Sequence, residues 1–427
     1  MKIFIFCRHL EFMGGIERVV LEQLRIFSAH GASVELLLDR DLSLMRSRIS
    51  CPHTVLPLDG NKRREALRDC LCGKRPDVLI FHGQSQEFGA QDAQVATECG
   101  IRNVCVIHFP FNSCLALDEG SMNYWKMYYE IGLNCTAFAT VSEIDALFWR
   151  ALGKKAFHVQ NPFVHPSKKV ETSQRDGEDS SANLLWVGRL CEPKQPQSAL
   201  DAFARATRTC PKIRLTMVGG DVAGIRGLKK YAGCLGILDK VEFVPERPDI
   251  NEYWAKADIH LLTSICESFC LVWAEAKAAG IPTVMFEMPY LELAADKRGY
   301  IAVEQRNVEA LADAIVDLVQ NGEKRLRMGR DALESLAPFN DEAVWQSWMR
   351  LFAGLGDPKA GTEVDQNLKT VVSQTYAAVC YDKEVHRWAE DMAHDWYRLT
   401  RMSMRHVANL LHRFVTAARF VKTKIRG

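Results

Sequence analysis

Glu267 and Glu275 stand at the two ends of the run Glu267-Ser268-Phe269-Cys270-Leu271-Val272-Trp273-Ala274-Glu275. Eight helical residues span about 12 Å, the scale that separates a sugar ring from a ribose across a diphosphate. The run follows an aliphatic stretch at Ile259–Leu262 and opens an apolar helix expected at Cys270–Ala279. The backbone N–H groups of Ser268–Cys270 would then face phosphate from a helix N-terminus. Ordinary roles are open to both carboxylates, Glu267 as a helix cap and Glu275 as a surface residue. Glu275 fits its role poorly, because Val272, Trp273, Ala276 and Ala279 around it are apolar or small. A carboxylate on a mostly buried helix needs a partner, and ligand hydroxyls would serve.

Two further groups suit the same ligand. Arg189 and Lys194 lie in Val187-Gly188-Arg189-Leu190-Cys191-Glu192-Pro193-Lys194, directly after a strand expected at Leu184–Val187. A planar fork and a point charge at the carboxyl end of a parallel strand could clamp a diphosphate; solvated loop charges are the plainer alternative. Gly14-Gly15 lies between the first strand and a helix over Glu17–His30. Glycines there let backbone approach a ligand at a helix N-terminus, or simply make a tight turn. The pair is not GxGxxG, which speaks against a dinucleotide oxidoreductase. Asp39, at the end of the second strand, nevertheless sits where such an enzyme would bind ribose. Asp39-Arg40-Asp41 is the one Asp-x-Asp of the chain. Such a motif could hold a divalent cation on a diphosphate, but it falls away from the clamp, so loop roles and no metal are expected.

The elements that must position these residues alternate in type. Strands are expected at Lys2–Cys7, Ser33–Leu38, Val78–Phe81, Val104–Ile107 and Ala137–Val141. After a polar break, Pro166–Asn183, the pattern restarts with Leu184–Val187, a helix at Gln197–Thr207, then strands at Arg214–Val218, Val241–Val244, Ile259–Leu262 and Thr283–Phe286. Strands alternating with helices imply parallel sheets with crossover helices, and runs such as Ile3-Phe4-Ile5-Phe6 suit strands covered on both faces. With 427 residues the chain is too long for one core. Two doubly wound Rossmann-like domains follow, 1–165 and 184–355, joined by the linker 166–183, with a helical, basic extension at 356–427.

Lys+Arg number 54 against 53 Asp+Glu, a formal charge of +1, which argues against nucleic acid as a partner. No apolar run is long enough to span a membrane, and the first residues read as a strand, so a cytoplasmic location is expected. The 14 cysteines are scattered without metal-site spacing and read as buried reduced thiols.

The order of motifs resembles the retaining glycosyltransferases of family 4, with the GT-B fold. It runs Gly14-Gly15, then Val187-Gly188-Arg189-Leu190 with Lys194, a turn at Gly219-Gly220-Asp221, and Glu267 with Glu275. Weaker echoes are Pro76-Asp77-Val78, His108 after a strand, Val141-Ser142, Asn161-Pro162 and Ala279-Gly280-Ile281-Pro282-Thr283. The resemblance covers roughly residues 1 to 350. It implies a first domain for the acceptor and a second for a nucleotide-sugar donor, with no cofactor. Arg189 and Lys194 match the positions that hold the donor diphosphate, Glu275 the ribose-binding carboxylate, and Glu267 the carboxylate beside the donor sugar. His108 matches a histidine near that sugar, which makes Glu267 and His108 the catalytic candidates. Gly14, Gly15 and the backbone of Ser268, Phe269 and Cys270 would approach the donor. Ser268 and Cys270 stand where glycine is commoner, Trp273 is bulkier than usual, and Val244-Pro245 replaces a strand-end glycine.

The function implied is transfer of a sugar to a hydroxyl acceptor, a glycan or lipid-linked molecule, in cell-surface polysaccharide or glycolipid synthesis. A nucleotide-sugar epimerase of the same fold and a non-catalytic partner subunit are the alternatives. Tyr124-Trp125-Lys126-Met127-Tyr128-Tyr129 reads as a helix packed on the sheet, or else as an acceptor wall. In the tail, Met404, Val407, Leu411, Phe414, Ala418, Val421 and Ile425 make one helical apolar stripe. Arg401, Arg405, Arg413, Arg419, Lys422, Lys424 and Arg426 flank it, with no acidic residue from 401 to 427. Such a stripe suits an anionic membrane surface, packing on the body, or self-association.

Overall fold

The computed structural model describes residues 1–8, 10, 14–40, 49, 51–82, 88–110, 127–128, 130–164, 181–247, 249–367 and 369. The first half runs β1 (Lys2–Cys7), α1 (Gly15–Ala29), β2 (Ser33–Leu38), β3 (His53–Val55), α2 (Gly60–Lys74), β4 (Val78–His82) and α3 (Gly89–Glu98). It continues with β5 (Arg102–Ile107), β6 (Ala137–Thr140), α4 (Glu143–Ala151) and β7 (Ala156–His158). These strands form one sheet in the order β3-β2-β1-β4-β5-β6-β7.

The second half runs β8 (Asn183–Val187), α5 (Pro196–Thr209), β9 (Arg214–Val218), α6 (Val222–Cys234), β10 (Val241–Val244), α7 (Asn251–Trp254) and β11 (Ile259–Leu262). Then come α8 (Leu271–Ala278), β12 (Thr283–Phe286), β13 (Tyr300–Val303), α9 (Val308–Gln320), α10 (Gly322–Glu334) and α11 (Asp341–Gly354). Its sheet has the order β10-β9-β8-β11-β12-β13, and the strand pairs of both sheets are parallel.

Local chemistry accounts for these elements. Ile3, Phe4, Ile5 and Phe6 are buried on both faces of the sheet, as central parallel strands require. Asp59, Ser142, Asp221, Asn307, Asn321 and Asn340 each cap a helix, their side chains accepting a backbone N–H three residues on. Four expected strands of the second half, 214–218, 241–244, 259–262 and 283–286, have the observed bounds. β3, β7 and β13 were not expected. All three are short edge strands with at most one buried residue, and β3 and β7 have too few apolar residues to register as a run.

In each sheet the strand order reverses once, between β1 and β4 and between β8 and β11. Such reversals open a crevice at the carboxyl ends of the strands, where ligands of doubly wound sheets bind.

The last helix, α11, returns to the first half. Phe27 of α1 meets Trp345, Trp348 and Phe352 edge-on or nearly so at 5.5, 5.6 and 6.3 Å between ring centroids. Arg25 donates to both carboxylate oxygens of Asp341 at 2.7 and 2.8 Å. One apolar cluster accordingly joins Ile5, Phe27 and Phe163 to Leu262, Phe269 and Trp273 and to Trp348 and Leu351.

Met127 and Tyr128 are buried in the core of the first half, the packing role expected for them. The rest of that aromatic stretch, Asp41, linker residues 166–180 and the stripe at 401–427 lie outside the described residues. Asn183, taken with the linker, is the first residue of β8. Among the described residues no helix is long and apolar enough to cross a membrane. Cys7, Cys105, Cys210, Cys266 and Cys270 are buried thiols, whereas Cys72 and Cys234 are exposed.

Candidate functional site

The loop after β8 carries Arg189 and Lys194, and the loop after β11 carries Glu267; both open at the reversal point of the second sheet. Lys194 Nζ donates to Glu267 Oε1. The Lys194 pKa lies above its ordinary value: burial is the largest influence and works to lower it, and the charge of Glu267, the proximity of Cys270 and the hydrogen bond to Glu267 together outweigh that. Arg189 extends from the same loop and is exposed.

Backbone ties hold the two loops together. Thr263 Oγ1 accepts from the Trp186 indole N–H at 2.9 Å and donates to Lys194 O at 2.8 Å, while Ile265 N–H donates to Pro193 O at 2.9 Å. Glu267 N–H donates to the Tyr290 hydroxyl at 3.1 Å. The Gly219-Gly220 turn packs under the Arg189 loop. Gly219 has φ +130°, and a Cβ there would sit 2.0 Å from the Gly188 carbonyl oxygen, so only glycine fits.

Between Glu267 and Glu275 the chain turns into α8 through Cys270, whose φ of +70° and ψ of +74° are left-handed. The sequence position where a glycine is commoner is thus one whose backbone favours glycine. Burial pushes the Cys270 thiol well above its usual range, with Glu267 adding to the effect, so it is a neutral packing group. The Trp273 N–H turns back to the Cys270 carbonyl at 3.0 Å, which leaves the N–H groups of Leu271 and Val272 as those a helix start does not pair within itself.

One turn on, Glu275 is 2% exposed. Arg18 of α1 reaches across from the first domain to bond its Oε1, and its Oε2 has no hydrogen-bond partner. Burial raises the Glu275 pKa to about 7 against the pull of Arg18; the Trp254 indole pulls weakly the same way without meeting hydrogen-bond geometry. The sequence pointed to a ligand for this carboxylate and missed its protein partner.

The first domain meets α8 and the Glu267 loop through the start of α1 and the residue after β5, with the end of β4 behind them. Gly15, at the start of α1, lies where a Cβ would touch Leu271 of α8 at 3.4 Å. Ser268 Oγ donates to the His108 carbonyl at 2.8 Å, so the Glu267 loop is fastened to the loop after β5. His82 Nδ1 lies 3.0 Å from His108 Nε2, and His82 Nε2 lies 2.8 Å from Gln23 Oε1. The Gln23 oxygen can only accept, so His82 Nε2 carries a proton. A neutral His82 then accepts at Nδ1, and His108 donates from Nε2. Burial lowers the His82 pKa well below normal, with His108 adding to the effect, and burial alone brings His108 to about 4. Both rings are therefore neutral at pH 7.

Lys194, Glu267, Ser268 and His108 are thus linked through the loops after β8, β11 and β5, Gly15 and Glu275 lie at α8, and Phe269 is a core residue, 3% exposed. The sequence missed Arg18, Gln23, His82, Thr263 and Tyr290. His82 had a usable signal, being the last residue of β4, which borders the reversal point of the first sheet. Asp39 lies in the bend after β2, a loop residue as expected, but it is buried: Arg63 Nη1 donates to it at 2.7 Å, and Arg63 also bonds Asp92 through Nε and Nη2. That engagement leaves Asp39 unsuited to a ribose or a cation. Among the described residues no three His, Cys, Asp or Glu side chains gather as a metal site.

Comparison with known proteins gives the same frame. HepE of Anabaena, solved with UDP-glucose, superimposes with a TM-score of 0.68 at 17% identity, over 83% of this chain and 100% of that one. The lipopolysaccharide outer core galactosyltransferase WaaB superimposes with a TM-score of 0.62 at 17% identity, over 83% and 99%. In sequence, a D-inositol 3-phosphate glycosyltransferase of Mycobacteroides abscessus is 36% identical over 164 residues, 37% of this chain and 36% of that protein. An exopolysaccharide phosphotransferase of Streptomyces coelicolor is 32% identical over 175 residues, 40% of this chain and 18% of that protein. The chain thus spans well under two thirds of the length of these two relatives. It has the GT-B fold, and its residues 169–335 match the family model of glycosyl transferases group 1.

Proposed function

We propose that the chain is a retaining glycosyltransferase of family 4 that moves a sugar from a nucleotide diphosphate sugar to a hydroxyl acceptor, without a metal. The observation that carries this is the grouping of Lys194, Glu267, the N-terminus of α8 and Glu275 along one wall of the crevice. Lys194, Arg189 and the unpaired N–H groups of α8 would meet the diphosphate and stabilise the charge it gains on leaving. Glu275 would hold the ribose. Glu267, exchanging its bond to Lys194 for sugar hydroxyls, would orient the donor sugar, and neutral His108 would border it from the first domain. The UDP-glucose bound to HepE supports a nucleotide sugar as donor. A glycan or lipid-linked acceptor would enter from the first domain, in cell-surface polysaccharide or glycolipid synthesis at the cytoplasmic face of a membrane. The cationic, apolar-striped sequence of 401–427 supports that location. Flotation with anionic liposomes checks it, with loss of binding expected on truncation after Thr400.

The test of the activity is a thermal-shift panel of nucleoside diphosphates and their sugars. A ligand at 100 times its Kd stabilises the native state by about 2.7 kcal/mol. The stabilising donor is then incubated in EDTA with candidate acceptors. A product of unchanged anomeric configuration is expected; conversion of the donor without acceptor would instead identify an epimerase.

A further inference from the structure

We propose that Arg18, a residue of the first domain, is a determinant of donor binding that acts through Glu275. It holds one carboxylate oxygen so that the other is left for the nucleotide's ribose. The inference rests on the glycosyltransferase reading above and goes beyond it in giving the ribose contact two halves, one from each domain.

Four observations carry it. Glu275 sits 2% exposed on α8 among apolar residues, so its carboxylate has no water to turn to. Oε1 is bonded by Arg18, whereas Oε2 is buried and has no partner. A buried carboxylate oxygen left unpaired is costly, and a ligand hydroxyl would satisfy it. Third, Arg18 lies in the first turn of α1, and that turn lies against α8, where a Cβ on Gly15 would be in ordinary contact with Leu271 at 3.4 Å. The approach that lets backbone near the ligand is therefore the approach that delivers the guanidinium. Fourth, among the described residues the neighbours of α8 supply no second cation for this carboxylate. Lys277, on α8 itself, donates to Ser335 Oγ and the Arg298 carbonyl. His260 of β11 lies with Thr283 of β12 at 3.1 Å and is brought to about 3 by burial. Arg325 of α10 donates to the Leu318 carbonyl. From α7, Trp254 contributes an indole.

Binding to an accepting carboxylate weakens when that group is protonated. In the wild type this happens as pH falls through about 7. Removing the cation that favours the charged form moves the loss to higher pH, by about one to three units.

The experiment is calorimetric titration of uridine, guanosine and adenosine diphosphate between pH 6 and 9, on the full chain and on Arg18→Gln, Arg18→Lys, Glu275→Gln and Arg18→Gln/Glu275→Gln. For the nucleotide that binds, Arg18→Gln should weaken affinity about tenfold at pH 7.5 and shift its pH dependence upward. Arg18→Lys should restore most of both. Glu275→Gln should abolish the pH dependence, and the double variant should bind no more weakly than Glu275→Gln. Circular dichroism of each variant confirms folding. Wild-type binding with an unmoved pH profile in Arg18→Gln overturns the inference alone, as do losses that add in the double variant, since Arg18 would then act independently of Glu275. If the wild type binds none of the three nucleotides, the glycosyltransferase reading falls and this inference with it.

Discussion

At the residue scale, the site places ionisable groups where folding alone would not keep them charged. The Glu275 pKa in the folded chain, about 7, lies above the ordinary 4.5. A group raised in this way contributes stability that is fully present below about pH 4.5 and is lost as pH rises through 7. At pH 8 the charged Glu275 therefore weakens the native state by roughly 3 kcal/mol. Glu275→Gln keeps the shape and removes the charge, and its partner Arg18 is 21% exposed and can turn to water. The variant should be more stable than wild type at pH 8, with no gain near pH 4.5, while binding nucleotide more weakly. Urea unfolding at the two pH values checks this, and equal stability at pH 8 would contradict it. Lys194 and Glu267 divide differently. Lys194→Ala should weaken nucleoside diphosphate binding by about 1.5–3 kcal/mol. Glu267→Gln should lower kcat and leave that affinity nearly intact, because its contact is to the sugar. Equal losses of nucleotide affinity in calorimetry would remove the division.

At the scale of elements, the site depends on turns that fix where strands end. Gly219 supports the Arg189 loop from below, at a φ of +130° that other residues avoid and with the Gly188 carbonyl where a Cβ would go. Gly219→Ala should cost about 1–3 kcal/mol in backbone strain and displace the loop. Melting temperature and nucleotide affinity should therefore fall together; an unchanged affinity would mean the turn is only structural. These elements differ in how far they could be read beforehand. β1, β8 and β11 are buried on both faces, so their apolar runs mark them, and the residues after them follow as site candidates. Gly219-Gly220-Asp221 was visible as a motif, but its role under Gly188 needs the fold. Arg18 and Gln23 lie in an otherwise ordinary helix where nothing local distinguishes them, and His82 is marked only by its place at the end of β4. They acquire roles only when α1, β4 and α8 meet, and that meeting depends on packing between segments far apart in the chain. The apolar face of α11 is plain in sequence, yet the pattern is the same whichever domain it covers.

At the scale of the molecule, the two Rossmann-like halves share a core instead of merely touching. The cluster that runs from Ile5 and Phe27 through Leu262 and Trp273 to Trp348 belongs to both sheets, and α11 completes it by crossing back onto α1. Two domains joined by a small polar interface would move and unfold separately. Here unfolding either half exposes apolar surface of the other, so the wild type should unfold in one transition, with far-ultraviolet dichroism and tryptophan fluorescence superimposed. Trp348, 1% exposed against Phe27 and Phe352, holds the junction. Trp348→Ala should cost about 3–5 kcal/mol and separate the two probes, because α11 then couples the halves less firmly. A nucleoside diphosphate at 100 times its Kd should shift the wild-type transition by about 2.7 kcal/mol in both probes alike, and in Trp348→Ala should shift chiefly the later one. Two resolved transitions in the unliganded wild type would show that the shared cluster does not couple the domains.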